Sequence, residues 1–240
     1  MKSTTGIDGV LLVDKAPGMT SHDVVAITRR ALDTKKVGHC GTLDPLATGL
    51  LIITIGRGTK IQDLLMSEDK EYTGTLRLGE MTTSQDSDGQ ITETRPVPEF
   101  TREQIEAAFS KFHGDFYQTP PMVSAIKKEG VPLYKLARQG KTVERDPRFV
   151  HVYAHEILAI RLPEIDFRVV CSKGFYVRTY AHDIGMELGC GAHLKTLRRT
   201  KSGKFPVDGA ITIEELKAGP TSTISERVLS LPTVSRLRGA

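Results

Sequence analysis

The chain has 240 residues, 39% of them hydrophobic and 26% charged, with a net charge of +4 and a pI near 8.9. That length and balance suit a globular protein with a sizeable core, and no stretch is long and apolar enough to span a bilayer. Residues 1–9 are polar and the apolar run at 10–13 is too short for a secretory signal, so a cytoplasmic location is expected. Cys40, Cys171 and Cys190 are widely separated, without a Cys-x-x-Cys pair or zinc-like His spacing, which predicts reduced thiols and no metal site. The positive charge by itself fits a nucleic-acid partner only loosely.

In chain order, residues 9–13 read as a buried strand ended by the Lys15-Ala16-Pro17-Gly18 turn. Thr20 or Ser21 then caps a helix with Val24, Ile27 and Ala31 at helical spacing and Arg29 and Arg30 near its end. The twelve residues 38–49 (Gly-His-Cys-Gly-Thr-Leu-Asp-Pro-Leu-Ala-Thr-Gly) form a glycine-punctuated loop, and the run 50–55 behind it reads as a buried strand. Proline after Asp44 keeps that residue out of the α region, so the carboxylate sits on an extended or turning backbone anchored by a rigid strand. A tight turn in which Asp44 only bonds its own backbone is the bland alternative.

Residues 56–60 turn into a short helix carrying Ile61, Leu64 and Leu65. Residues 70–78 alternate with period two, Tyr72, Leu76 and Leu78 on one face, which predicts a strand; Tyr72 on that basis is an ordinary amphipathic core residue. A polar, turn-rich loop follows and ends in the hairpin signal Asp88-Gly89. Thr101 and Gln104 form a capping-box pattern ahead of a helix buried through Ile105, Ala108, Phe109 and Phe112. Pro120 and Pro121 keep the next segment non-helical before a strand near Lys127, and a short helix is expected over 132–140, with Pro at its first turn and Gly at its end.

Residues 149–162 and 165–171 pattern as two strands. Past Gly174, Val177, Tyr180, Ala181, Ile184 and Leu188 take helical spacing and put Arg178 in a first turn, where the helix dipole repels a guanidinium. Such an arginine calls for a partner carboxylate, with Asp44 the candidate and an ordinary surface arginine the alternative. Lys195, Arg198, Arg199 and Lys201 fall close together, as a solvated strand or as a track for phosphates.

Several of these segments, in order, resemble the motifs of the TruB family of pseudouridine synthases. They are Lys15-x-Pro17-Gly18-x-Thr20-Ser21, the 38–49 loop, Pro120-Pro121-x-x-Ser124-Ala125-x-Lys127, Pro132-Leu133-Tyr134-x-x-Ala137-Arg138-x-Gly140, the run around Arg178, and Leu197-x-Arg199-x-x-Ser202-Gly203. The resemblance implies an α+β pseudouridine synthase fold, a mixed, mainly antiparallel central sheet flanked by helices and loops. It implies a catalytic domain over 1–216 and a short tail over 217–240, too short for the small C-terminal RNA-binding PUA module that many relatives carry. It also implies isomerisation of a uridine, U55 of the T loop of tRNA, to pseudouridine, with base flipping. Asp44 would be nucleophile or base, Arg178 its paired cation and Tyr72 the ring that stacks on the base. Leu197 would wall the pocket and His39 fill the space the base leaves, with Lys15, Lys127 and Tyr176 as further substrate contacts; by itself His39 reads as a loop histidine bonding a carbonyl.

The reaction exchanges an N-glycosidic for a C-glycosidic bond without redox change, so no cofactor is expected. The expected partner is the tRNA T stem-loop, with no membrane, no obligatory protein partner and a monomeric state. A guide-RNA-dependent synthase and a non-catalytic T-arm folding factor are the alternatives.

Overall fold

The computed structural model describes residues 6–239 except 125, 129, 134, 135, 137, 138 and 142, and leaves the side chains of 127, 128 and 132 undescribed. The chain divides into two compact units, Met1–Tyr72 with Leu197–Ala240, and Thr73–Thr196.

The first unit is organised around β3 (Thr48–Ile55), whose residues Leu50, Leu51, Ile52, Ile53 and Ile55 are fully buried. Continuous aliphatic sequence of this kind suits a strand covered on both faces. One edge of β3 pairs antiparallel with β1 (Gly9–Lys15), from Gly9 opposite Ile55 to Lys15 opposite Gly49. The other edge is shared. β2 (Val37–Cys40) runs antiparallel along Ile52 to Ile55, and β12 (Ala192–Ser202) runs parallel along Thr48 and Gly49. The 41–47 loop bridges β2 and β3 at this changeover.

Helix α1 (Ser21–Ala31) begins at Thr20 with the capping box to Asp23, and buries Val24 and Ile27 as its spacing requires. A 3-10 turn (Gly56–Ile61) and α2 (Gln62–Met66) follow β3. Short strands β13 (Phe205–Pro206) and β14 (Ile211–Thr212) extend the sheet along β12 and β1.

Within 217–240, expected from the sequence as a short tail, the described residues include helices of this unit. After α5 (Ile213–Ala218) come α6 (Thr221–Glu226) and α7 (Leu231–Arg238). Leu229 and Val10 exchange backbone hydrogen bonds of 2.8 and 2.9 Å, and Val234 packs with Val10, Leu50, Ile52 and Phe205.

The second unit has strand order β12-β4-β11-β10-β7, formed by β4 (Lys70–Leu78), β7 (Gly114–Gln118), β10 (Arg148–Arg161) and β11 (Glu164–Cys171), with β4 and β12 contributing residues to both units. β11 alternates as expected: Ile165, Phe167, Val169 and Cys171 are fully buried. Against that face lie α3 (Arg102–Ser110), which starts with the expected Thr101–Gln104 capping box, and α4 (Val177–Glu187). Phe109, Phe167 and Tyr180 meet there with ring centroids 5.8 to 6.0 Å apart. The opposite face is polar: Glu164 pairs with Arg77 (3.3 Å) and Lys195 (2.5 Å), and Asp166 accepts from Thr75 (2.8 Å).

The Asp88-Gly89 signal corresponds to a hairpin of β5 (Glu80–Thr82) and β6 (Ile91–Thr94). β8 (Lys127–Lys128) pairs with β9 (Val131–Pro132). The helix expected over 132–140 falls partly outside the described residues, at 134, 135, 137 and 138.

The basic cluster near residue 198 divides between paired, buried and exposed side chains, with Lys201 exposed. Arg198 is paired with Asp14 at 2.7 Å, Lys195 with Glu164, and Arg199 is 1% exposed. Alternation along β12 turns Arg199 inward, which the charge pattern alone does not reveal.

Candidate active site

In the first unit the segment around Asp44 is held from three sides. Lys15 is fully buried, and its ammonium donates to the carbonyls of Met19 (2.8 Å), Ala16 (3.0 Å) and Pro45 (3.4 Å). Gly18 N–H reaches the same Pro45 oxygen at 2.9 Å, which ties the turn after β1 to the residue following Asp44. Ser21 Oγ lies 2.9 Å from Leu43 N and 3.1 Å from Leu43 O, both buried contacts. With Thr20 as the cap, the first residue of α1 is thus free to anchor the loop.

Arg199 donates through Nη2 to Gly41 O at 3.0 Å and through Nε to Leu50 O at 2.7 Å. Inside the loop, Ala47 N–H bonds Asp44 O at 3.0 Å, the turn that Asp-Pro chemistry favours. Thr48 Oγ1 donates to Leu197 O at 3.3 Å, so the strand bearing Leu197 is fastened where the loop re-enters β3. The structure therefore brings Lys15, the Asp44 loop and the Leu197 backbone together. Lys15 is an internal brace of this site.

His39 sits on β2 opposite Ile53, with the His22 ring edge-on at 5.3 Å. Burial, with the charges of His22 and Arg199 nearby, pushes its pKa down to about 4, so the ring is neutral at physiological pH. Its Nδ1 is buried without a hydrogen-bond partner, unlike the carbonyl-bonded loop histidine that sequence alone suggests. Burial also pushes the Cys40 thiol up to about 12, and a thiol that stays protonated is a poor nucleophile. Tyr72 is 9% exposed on β4, and its neighbour Glu71 accepts from Thr200 Oγ1 at 2.7 Å.

In the second unit Arg178 is 4% exposed in the first turn of α4. It donates to Ser84 O (2.9 Å) and Val123 O (2.7 Å), and it faces the Asp86 carboxylate at 3.5 Å. Asp86 is 3% exposed and accepts from Ser84 Oγ and the Asp88 N–H. Within this unit Asp86 is thus a carboxylate partner for an arginine placed against the helix dipole.

Tyr176, one residue before α4, has its backbone N–H and C=O bonded by the amide of Gln118 at 2.8 and 3.1 Å. Gln118 thereby does the work of a cap for a helix whose own N-cap side chain makes no capping bond. Lys127 lies on β8, and its side chain is outside the described residues. Asp86 and Gln118 were not singled out by the sequence, and Ser21 and Arg199 appeared there only as a candidate cap, as part of a basic cluster and as motif members, without a role at the site. Asp86 lies in the polar, turn-rich loop before Asp88-Gly89; the other three act through contacts 22 to 158 residues away.

The fold is that of pseudouridine synthases. The crystal structure of a Cbf5-Nop10-Gar1 complex matches with a TM-score of 0.74 and 29% identity, over 96% of this chain and 62% of that one. Residues 29–177 match the model of the TruB family pseudouridylate synthase N-terminal domain, and 178–230 that of the tRNA pseudouridylate synthase B C-terminal domain. The tRNA pseudouridine synthase B of Opitutus terrae is 56% identical over 93% of this chain and 92% of its own length. That of Syntrophotalea carbinolica is 47% identical over 96% and 75%. The chain belongs to the TruB family, whose members are isomerases.

Two outcomes follow for stability. Asp86→Ala leaves the Arg178 guanidinium buried without this partner and lowers the free energy of unfolding by about 3 kcal/mol or more in urea melts, with Asp86→Asn losing less because it keeps the bonds from Ser84 and Asp88. His39, neutral when folded and basic when unfolded, binds fewer protons in the native state, so stability falls as pH drops from about 6.5 towards about 4. Urea melts across that window give a shallower pH slope for His39→Asn than for the parent.

Proposed function

We propose that the chain isomerises a uridine of tRNA to pseudouridine, at U55 of the T loop. The observation that carries this reading is the Asp44 carboxylate on a loop braced by Lys15, Ser21 and Arg199, in a chain 56% identical to a protein named tRNA pseudouridine synthase B. In this reading Asp44 acts as nucleophile or base, and Arg178 keeps it ionised, since a nearby cation lowers a carboxylate pKa.

A base within the T-loop stack must first be flipped out, at a cost of a few kcal/mol. Tyr72 offsets part of that by stacking on the flipped ring and Leu197 by walling the pocket. His39, neutral at working pH, takes the vacated space without adding a charge. Tyr176 and Lys127 contribute substrate contacts, and Lys15 serves the same end by holding the loop. The partner is the T stem-loop of tRNA, met in the cytoplasm by a monomer and recognised largely by shape and splayed bases.

Tritium release from tRNA transcribed with 5-³H-uridine tests this. The expected result is one equivalent released from the normal transcript and background release from a transcript carrying C at position 55. No release from a transcript that binds, or undiminished release from the U55→C transcript, contradicts the reading.

A further inference from the structure

We infer that Arg199 is a positioning residue for the isomerisation, acting through the Asp44 loop; this rests on the function proposed above. β3 changes partner part-way along its edge, from β2, whose last pairing is Cys40 with Ile52, to β12, whose pairing ends at Gly49. Leu50 lies in the gap between these two ladders. Its carbonyl oxygen is taken by Arg199 Nε at 2.7 Å, so the guanidinium substitutes for a missing strand contact. The same side chain reaches the other end of the loop and donates through Nη2 to Gly41 O at 3.0 Å. Its backbone is registered beside Gly49. One residue therefore clamps residues 41, 49 and 50, the two ends of the segment that carries Asp44.

Both glycines at these ends suit the clamp. Gly41 and Gly49 have φ of +77° and +93°, in the left-handed region. A Cβ at Gly49 would run into the Arg199 carbonyl oxygen, and one at Gly41 would stand 3.3 Å from Nη1.

The choice of arginine is costly for stability alone. Arg199 is 1% exposed and makes no ion pair among the described residues, although burying an uncompensated cation is expensive. A leucine or methionine would fill the space with less desolvation. What an apolar side chain does not provide is a rigid planar fork able to donate to two carbonyls on separate segments at once. The side chain thus fixes the shape of the loop, and loop shape governs where the Asp44 carboxylate stands.

The test compares the parent with Arg199→Met and Arg199→Lys in single-turnover tritium release at saturating tRNA, alongside tRNA affinity by filter binding and thermal melts. Displacing a reacting group by about 1 Å costs about 100-fold in rate. The Met variant is expected to be about 100-fold slower, and the Lys variant, which holds one carbonyl at a time, about 10-fold slower, both with tRNA affinity within about threefold of the parent. Should the Met variant fail to fold, the Lys variant decides. A Lys variant as fast as the parent, or a loss that appears in tRNA affinity and not in the saturated rate, overturns the inference. A parent that releases no tritium refutes the proposed function instead; an active parent with unaffected variants refutes only the role of Arg199.

Discussion

The fastening of one loop by buried donors is the constraint on which the first unit depends. Lys15 and Arg199 are cations withdrawn from water, and Ser21 is a buried hydroxyl; each is satisfied by backbone groups of residues 41–50 or of the turn that packs on them. Such groups contribute little net stability, and leaving one unsatisfied costs far more than making its bond gains. The aliphatic burial of β3 and β1 offsets that cost. The carbonyls of Gly41, Leu43, Asp44, Pro45 and Leu50 consequently have partners within the protein and need none from water.

The second unit uses the same device for a different side chain. Arg178 stands where a helix terminus repels it, and it is fixed by Asp86, Ser84 O and Val123 O, while Gln118 secures the chain entering α4. Neither arginine nor lysine acts here as a surface charge. Each is a multi-donor cation used to join segments distant in sequence, and long-range closure of this sort carries an entropic cost that local bonds do not.

What could be read from the sequence follows from this division. Periodicity gave β4, β10, β11, α3 and α4 because each buries one face over eight or more residues. Turn chemistry placed Asp44 on a loop before β3, and the unfavourable helix position of Arg178 pointed to a carboxylate partner. Periodicity has no purchase on Arg199, Gln118 or Ser21, single residues whose partners lie 22 to 158 positions away. It also underweights α6 and α7, of 6 and 8 residues, which each offer one fully buried apolar side chain, Ile224 and Val234. In the 195–201 cluster, charge suggested a solvent-facing surface, whereas strand alternation turned Arg199 into the interior.

The proposed isomerisation depends on Asp44 being the group that acts on the uridine and not merely one that shapes the loop. The most direct measurement is single-turnover tritium release by Asp44→Asn at saturating tRNA, with binding of the same transcript measured in parallel. The substitution keeps the side-chain shape and removes the charge and basicity. Release is predicted to fall to background while tRNA affinity stays within about threefold. Release within about tenfold of the parent would contradict this and assign the chemistry to another residue.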